Sequence, residues 1–125
     1  MIRGLPVLAA VLAAAGVIAG AFGAHALRDL VAPGDLAIWE TASRYHLLHA
    51  VALLAIGLKF DPNLQKPAAL LLLGVLVFSG SLYLLVLTNL RWLGAITPIG
   101  GVALIAGWVW LAWQLWRFSG TSRNE

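Results

Sequence analysis

The sequence predicts an all-α integral membrane protein, a bundle of four transmembrane helices joined by short connections. Of its 125 residues, 62% are hydrophobic and 10% are charged, whereas soluble domains contain about 45–50% apolar and about 25% charged residues. The mean hydropathy is +0.93. The apolar residues form four segments, each close to the roughly 20 helical residues that cross a bilayer. Lipid is therefore the expected solvent of this chain.

The basic residues and the missing cysteines exclude other classes of function. The formal net charge is +3 and the pI is about 10.0. The eight Lys and Arg residues are scattered singly, so they form no stripe that could follow a nucleic-acid backbone. The absence of cysteine excludes disulfides, thiolate metal sites and cysteine nucleophiles. We expect the lipid bilayer, and no nucleic acid, as a partner.

The first helix is predicted over about residues 4–26, an apolar run. Small residues recur along it at three- and four-residue spacing, which lets a second helix approach closely. The glycines expected to serve helix packing are Gly16, Gly20 and Gly23 here and Gly80 on the third helix. A cleaved signal peptide is the alternative, with Arg3 as its basic region and Ala24–Ala26 as its cleavage motif. The length of the run and the three segments after it favour a retained helix.

The second helix is predicted over about residues 41–59, the minimum length for a span. The preceding connection, residues 28–40, contains a turn signal at Pro33–Asp35. Glu40 and Arg44 are spaced for an i, i+4 ion pair at the polar start of this helix.

The third and fourth helices are predicted over about residues 67–88 and 93–117. Pro98 should kink the fourth helix or delay its start. The end of this helix is rich in tryptophan, a pattern typical of an aromatic belt at the membrane interface. We assign residues 1–118 to one membrane domain and residues 119–125 to a polar tail.

Four spans place both termini on one side of the membrane. The basic residues predicted on that side are Arg3, Lys59, Lys66, Arg117 and Arg123, against Arg28, Arg44 and Arg91 on the other. Because cytoplasmic loops carry the excess of Lys and Arg, the distribution favours cytoplasmic termini in a bacterial plasma membrane.

Polar residues of different helices converge in one leaflet when the spans are threaded up and down. The residues of this predicted cluster are His25, His46, His49, Ser79, Tyr83 and Thr97. At about 1.5 Å per helical residue, His49 would lie a third of the way into the bilayer. Such residues either hydrogen-bond between helices or form a functional site. His25, His46 and His49 are also the candidate ligands of a metal ion.

Four short stretches of the sequence, which contain the residues of the predicted polar cluster, resemble a known family. They are Gly20–His25, Thr41–Ala50, Phe78–Tyr83 and Thr97–Gly101, and they are similar to the small membrane family called domain of unknown function 423, whose animal members are called transmembrane protein 256. The match covers nearly the whole chain. The resemblance implies a small integral membrane protein and supplies no established activity, substrate or cofactor.

The leading functional hypothesis is a helix-packing, assembly or accessory role, as a homo-oligomer or within a membrane complex. The alternative is a small transporter or channel, or a protein that binds a metal, haem or quinone through the polar cluster. An unaided hydrolase is disfavoured because no acidic residue is predicted at the depth of the histidines. The sequence thus favours a non-enzymatic role and leaves any cofactor open.

Overall fold

The computed structural model describes residues 3–121 and is built from four long helices. They are α1 (Leu5–His25), α2 (Pro33–Gly57), α3 (Gln65–Thr88) and α4 (Thr97–Thr121). Short 3₁₀ turns at Leu27–Asp29, Pro62–Leu64 and Arg91–Ala95 connect them. The part of the chain that the structure describes contains no strand. The predicted all-α fold class is confirmed.

The helices pack in chain order, α1 against α2, α2 against α3 and α3 against α4. The central pair is therefore α2 and α3, and α1 and α4 flank it. One buried cluster, which includes Leu53 and Leu71, fills the end of the bundle near the start of α1. A second, built around Trp39, fills the opposite end. The core thus consists of two clusters of buried side chains, one at each end of the bundle.

Three of the helical stretches in the described residues are long and apolar enough to cross a membrane, namely Leu5–His25, Pro62–Thr88 and Arg91–Gly120. α2 is as long, but it carries charged side chains and two histidines. It runs antiparallel to α1, because Gly57 lies against Pro6 and Gly23 lies against Trp39. This pairing extends along most of the length of α1, so α2 is long enough to cross the same thickness as its neighbour.

α2 begins at Pro33, eight residues before the predicted start. The prediction of a turn at Pro33–Asp35 is therefore wrong, because these residues form the first turn of the helix. Proline suits the first helical position because its missing N–H is not needed there. Asp35 falls in the first turn, where a carboxylate interacts favourably with the helix dipole. As a consequence, His46 and His49 lie near the middle of α2 rather than near its start.

The other boundaries differ less from those expected. A 3₁₀ turn precedes α4, which begins at Thr97 with Pro98 in its first turn, so the proline delays the helix start. α4 continues to Thr121, so the first part of the expected polar tail is helical. Residues 122–125 of that tail lie outside the described residues.

Glycine permits the closest contacts between helices. A Cβ atom at Gly16 would lie 3.3 Å from Leu47, and one at Gly23 would lie 2.5 Å from the Trp39 ring. A Cβ atom at either Gly20 or Gly80 would meet nothing within 4 Å. Gly16 and Gly23 therefore pack α1 on α2, whereas Gly20 and Gly80 border open space.

Candidate functional site

Part of the predicted polar cluster forms between α2 and α3. The ring atom His46 Nδ1 lies 2.9 Å from the Tyr83 hydroxyl oxygen. The Ser79 hydroxyl donates to the Ala42 carbonyl at 2.8 Å. These two bonds join α2 to α3 one helical turn apart. They border a cleft of about 200 Å³ that is otherwise lined by Leu12, Val75, Leu76 and Gly80.

The direction of the His46–Tyr83 bond follows from the partners available. This is the one hydrogen bond of the Tyr83 hydroxyl among the described residues. We therefore assign the phenol O–H as the donor and His46 Nδ1 as the acceptor. His46 then carries its own proton on Nε2. That atom is buried and makes no hydrogen bond with the described chain, although the Leu12 backbone lies against the ring. His46 is therefore hydrogen-bonded to α3 through Nδ1, whereas its ring also lies against α1 without a hydrogen bond from Nε2 to any described residue.

His49 uses both ring nitrogens within the fold. The Trp108 indole Nε1 donates to His49 Nε2 at 3.0 Å. Because Nε2 accepts, the proton resides on Nδ1, which donates to the Tyr45 carbonyl at 2.7 Å. The residue is 3% exposed. His49 is thus a neutral, fully hydrogen-bonded link between α2 and α4.

The structure does not bring His25 and Thr97 to this cluster. His25 is exposed at the end of α1. The Thr97 hydroxyl lies 2.6 Å from the Ser81 hydroxyl, in a separate pair that joins α3 to α4. Among residues 3–121, no group of three or more His, Cys, Asp or Glu side chains is placed to hold a metal ion. The three candidate metal ligands therefore do not form a shared site here.

Two tryptophans also contact residues of the predicted polar cluster, and neither was predicted to belong to it. Trp39 donates from Nε1 to the Ala19 carbonyl at 2.8 Å, and its ring centroid lies 4.6 Å from that of Tyr83. Trp108, in the middle of α4, is the partner of His49. One signal was available: an indole N–H inside an apolar helix needs an acceptor, and a histidine at similar depth can provide it.

A bidentate ion pair joins the first turn of α2, outside its apolar part, to the connection before α4. The Arg91 guanidinium donates to both Asp35 carboxylate oxygens, at 2.8 and 2.9 Å. This hydrogen bonding holds the pKa of the Asp35 carboxyl below its ordinary value. The pair fixes the start of α2 relative to α4.

Apolar outer surfaces, four long helices and hydrogen-bonded polar residues between them define a helical integral membrane protein. Comparison with known proteins identifies the family. The family described as "Protein of unknown function (DUF423)" matches residues 19–101, a range that includes the Tyr45–His49 segment and the Ser79–Tyr83 segment. The chain belongs to this family, as the sequence predicted.

Relatives in two bacterial genera cover almost all of the chain. "UPF0382 membrane protein SAB0533" of Staphylococcus aureus (strain bovine RF122) is 43% identical over 117 residues, which is 91% of this chain and 96% of the relative. A "UPF0382 membrane protein" of Staphylococcus epidermidis is 45% identical over the same shares. "UPF0382 membrane protein YwdK" of Bacillus subtilis is 39% identical over 82% of this chain and 88% of the relative. No solved structure matches.

Proposed function

We propose that this protein acts by assembly, as a homodimer that packs through α1 and α2 in the bacterial plasma membrane. The observation that carries the proposal is a groove on the outer side of these two helices, of about 490 Å³. It is lined by Gly16, Val17, Gly20, Ala21, Glu40, Ser43, Arg44 and Leu47. Gly20 leaves open space in this groove, so another helix can approach the α1 backbone closely.

Charge supports a second copy as the occupant of this groove. Glu40 and Arg44 are exposed, and neither forms an ion pair with another described residue, so the pair expected within α2 is not formed. An unpaired arginine on a membrane-facing surface is costly. With a two-fold axis along the membrane normal, Glu40 of each copy would lie one helical turn in depth from Arg44 of the other, the same offset as in an i, i+4 pair. In this arrangement each copy supplies an acidic partner for the arginine of the other copy.

Within this proposal, the polar cluster is a packing element. His46, Ser79 and Tyr83 hold α2 against α3 through hydrogen bonds, and His49 holds α2 against α4. Interhelical hydrogen bonds of this kind contribute about 0.6 kcal/mol on average in a membrane. The cluster thus fixes the rotation of α2, and that rotation presents Glu40 and Arg44 to the groove.

The orientation belongs to the same proposal. Both termini face the cytoplasm, because the side with the chain ends and Lys59 carries more basic residues than the side with Arg28 and Arg91. The plasma membrane is supported by the bacterial origin of the relatives.

The first test is disulfide crosslinking in native membranes. The chain has no cysteine, so Val17→Cys introduces one thiol into the groove. We expect a crosslinked dimer from Val17→Cys and at least a fivefold smaller dimer fraction when Gly20→Leu is added. Gly80→Leu is the matched control, because Gly80 also borders open space but faces away from this groove. Equal crosslinking in both variants would rule out the groove as the interface.

A charge-exchange experiment tests the ion pairs. Glu40→Arg and Arg44→Glu should each weaken the dimer, because each places like charges across the interface. Mixing the two variants should restore crosslinking, since every cross-pair becomes attractive. Failure of the mixture to recover, with both variants folded, would contradict the two-fold arrangement.

A further inference from the structure

A second cleft lies between α2, α3 and α4, away from the proposed dimer groove. Its volume is about 320 Å³, which falls at the lower end of the range typical of ligand sites, about 300–1,000 Å³. It is lined by Tyr45, Leu48, His49, Phe78, Gly101, Leu104, Ile105 and Trp108. The lining is mainly apolar and aromatic, with few polar groups, as in most small-molecule sites.

The cleft opens sideways, towards lipid. Its deep residues include His49 and Leu104, which are buried. Its rim consists of Leu48 and Tyr45 on α2 and of Ile105 and Trp108 on α4, all exposed. Because the rim side chains belong to the outer faces of two spanning helices, a ligand would enter from the bilayer and must itself dissolve there.

Rings form the walls of the cleft, and hydrogen bonds hold them in place. The Tyr45 ring centroid lies 4.8 Å from that of Phe78, and the Tyr45 and His49 rings are stacked at 12°. The His49–Trp108 bond fixes the indole at the opposite wall. Ring faces and edges presented by several helices favour a flat, ring-shaped ligand over a single acyl chain.

The Tyr45 hydroxyl supplies the polar contact. It makes no hydrogen bond with any residue from 3 to 121, in contrast to the Tyr83 hydroxyl, which is bonded to His46. A hydroxyl without a partner in hydrocarbon costs free energy. A carbonyl oxygen on the ligand would accept its proton.

We propose that this cleft binds a flat, largely apolar ring molecule that carries a carbonyl oxygen and enters from the bilayer, as a membrane-dissolved quinone would. Phe78 and Trp108 enclose the ring, and Tyr45 donates to the carbonyl. Gly101 makes room for the ring, because a Cβ atom there would meet only the Phe78 ring at 3.8 Å.

Fluorine NMR on the full chain in phosphatidylcholine nanodiscs tests this proposal. The six tryptophans are labelled as 5-fluorotryptophan, and Trp108→Phe assigns the Trp108 signal. The probe is 2-methyl-1,4-naphthoquinone. We expect the Trp108 signal to shift saturably while the other five respond weakly and linearly. A linear response of all six signals would mean partition into lipid and would overturn the proposal.

Three variants and a second probe locate the contacts. Gly101→Leu fills the cleft and should abolish the saturable shift, whereas Gly80→Leu, which borders the other cleft, should keep it. Tyr45→Phe should weaken binding about fivefold, the effect of one hydrogen bond. 2-Methylnaphthalene, which lacks the carbonyl, should bind about fivefold more weakly to the wild type and equally to both Tyr45 forms. Unchanged binding in Gly101→Leu would exclude this cleft, and equal affinities of the two probes would exclude the carbonyl contact.

Discussion

The two histidines of α2 lie three residues apart, and their ring nitrogens serve different purposes. His49 donates to its own helix and accepts from Trp108 on α4. His46 accepts from Tyr83 on α3 and keeps a buried nitrogen that has no hydrogen-bond partner among residues 3–121. A buried polar group that loses its partner retains its desolvation penalty, so each bond makes the rotation of α2 more specific.

The Tyr83 hydroxyl is therefore expected to contribute to folding stability, in contrast to the Tyr45 hydroxyl. Tyr83→Phe removes the donor to His46 and should lower the free energy of unfolding by about 1 kcal/mol. Tyr45→Phe is the matched control and should be nearly neutral, because its hydroxyl makes no bond within the described fold. Reversible unfolding in mixed detergent micelles measures both values. Equal losses in the two variants would contradict the assigned hydrogen bond.

Threading the four spans up and down was sufficient to predict that polar residues of α2 and α3 lie in one leaflet. His46, Ser79 and Tyr83 were placed there, and the structure brings these three residues to one cleft. Threading could not assign His49 to Trp108 or Thr97 to Ser81, because those pairs depend on how far α4 is rotated against α3. Rotation between helices comes from packing of whole surfaces, which no single helix encodes.

At the scale of elements, α3 and α4 make the closest approach in the bundle. A Cβ atom at Gly100 would lie 2.4 Å from the Phe78 backbone nitrogen, and one at Gly74 would lie 3.0 Å from the Leu104 backbone. Backbones this close gain van der Waals contacts, which drive association where lipid removes the hydrophobic effect between helices. Gly100 is thus a structural requirement of the α3–α4 pair.

Gly100→Ala should separate these helices, and Gly101→Ala should not. The methyl group at position 100 meets backbone that cannot rotate away, so we expect a loss of about 3 kcal/mol. At position 101 the methyl group meets the Phe78 ring at an ordinary distance, and alanine also favours helix, so stability should be unchanged or slightly higher. The same detergent unfolding assay compares them. A Gly100→Ala variant as stable as wild type would contradict the α3–α4 contact.

The lengths of α1 and α3 could be predicted because the length of an uninterrupted apolar run corresponds to the thickness of the hydrocarbon core that the helix crosses. The start of α2 could not, because Pro33–Asp35 is equally typical of a turn and of the first turn of a helix. The difference is decided by tertiary contacts: Asp35 binds Arg91 from a distant connection, and Trp39 binds the Ala19 carbonyl on α1. Local sequence contains neither partner.

At the scale of the whole molecule, neighbouring helices are antiparallel, so a bundle of four spans can have only two orientations in the membrane, with both termini inside or both outside. The connection after α1 lies on the side opposite the termini, and the connection after α2 lies on the same side as the termini. In the proposed orientation, the terminal side, which carries the excess of basic residues, faces the cytoplasm. A wrong orientation would reverse every loop at once, so two labelled positions are enough to decide it.

Leu30→Cys and Asn63→Cys test this orientation in a chain that has no other cysteine. Both positions are exposed in connections, and neither change removes a charge that orients the protein. In intact cells, a membrane-impermeant maleimide should label Leu30→Cys and should label Asn63→Cys only after lysis. The reverse pattern would place the termini outside, and labelling of both from one side would mean that α2 does not cross the membrane. Because Glu40 and Arg44 lie on α2, that last result would also remove the symmetric ion pairs of the proposed dimer.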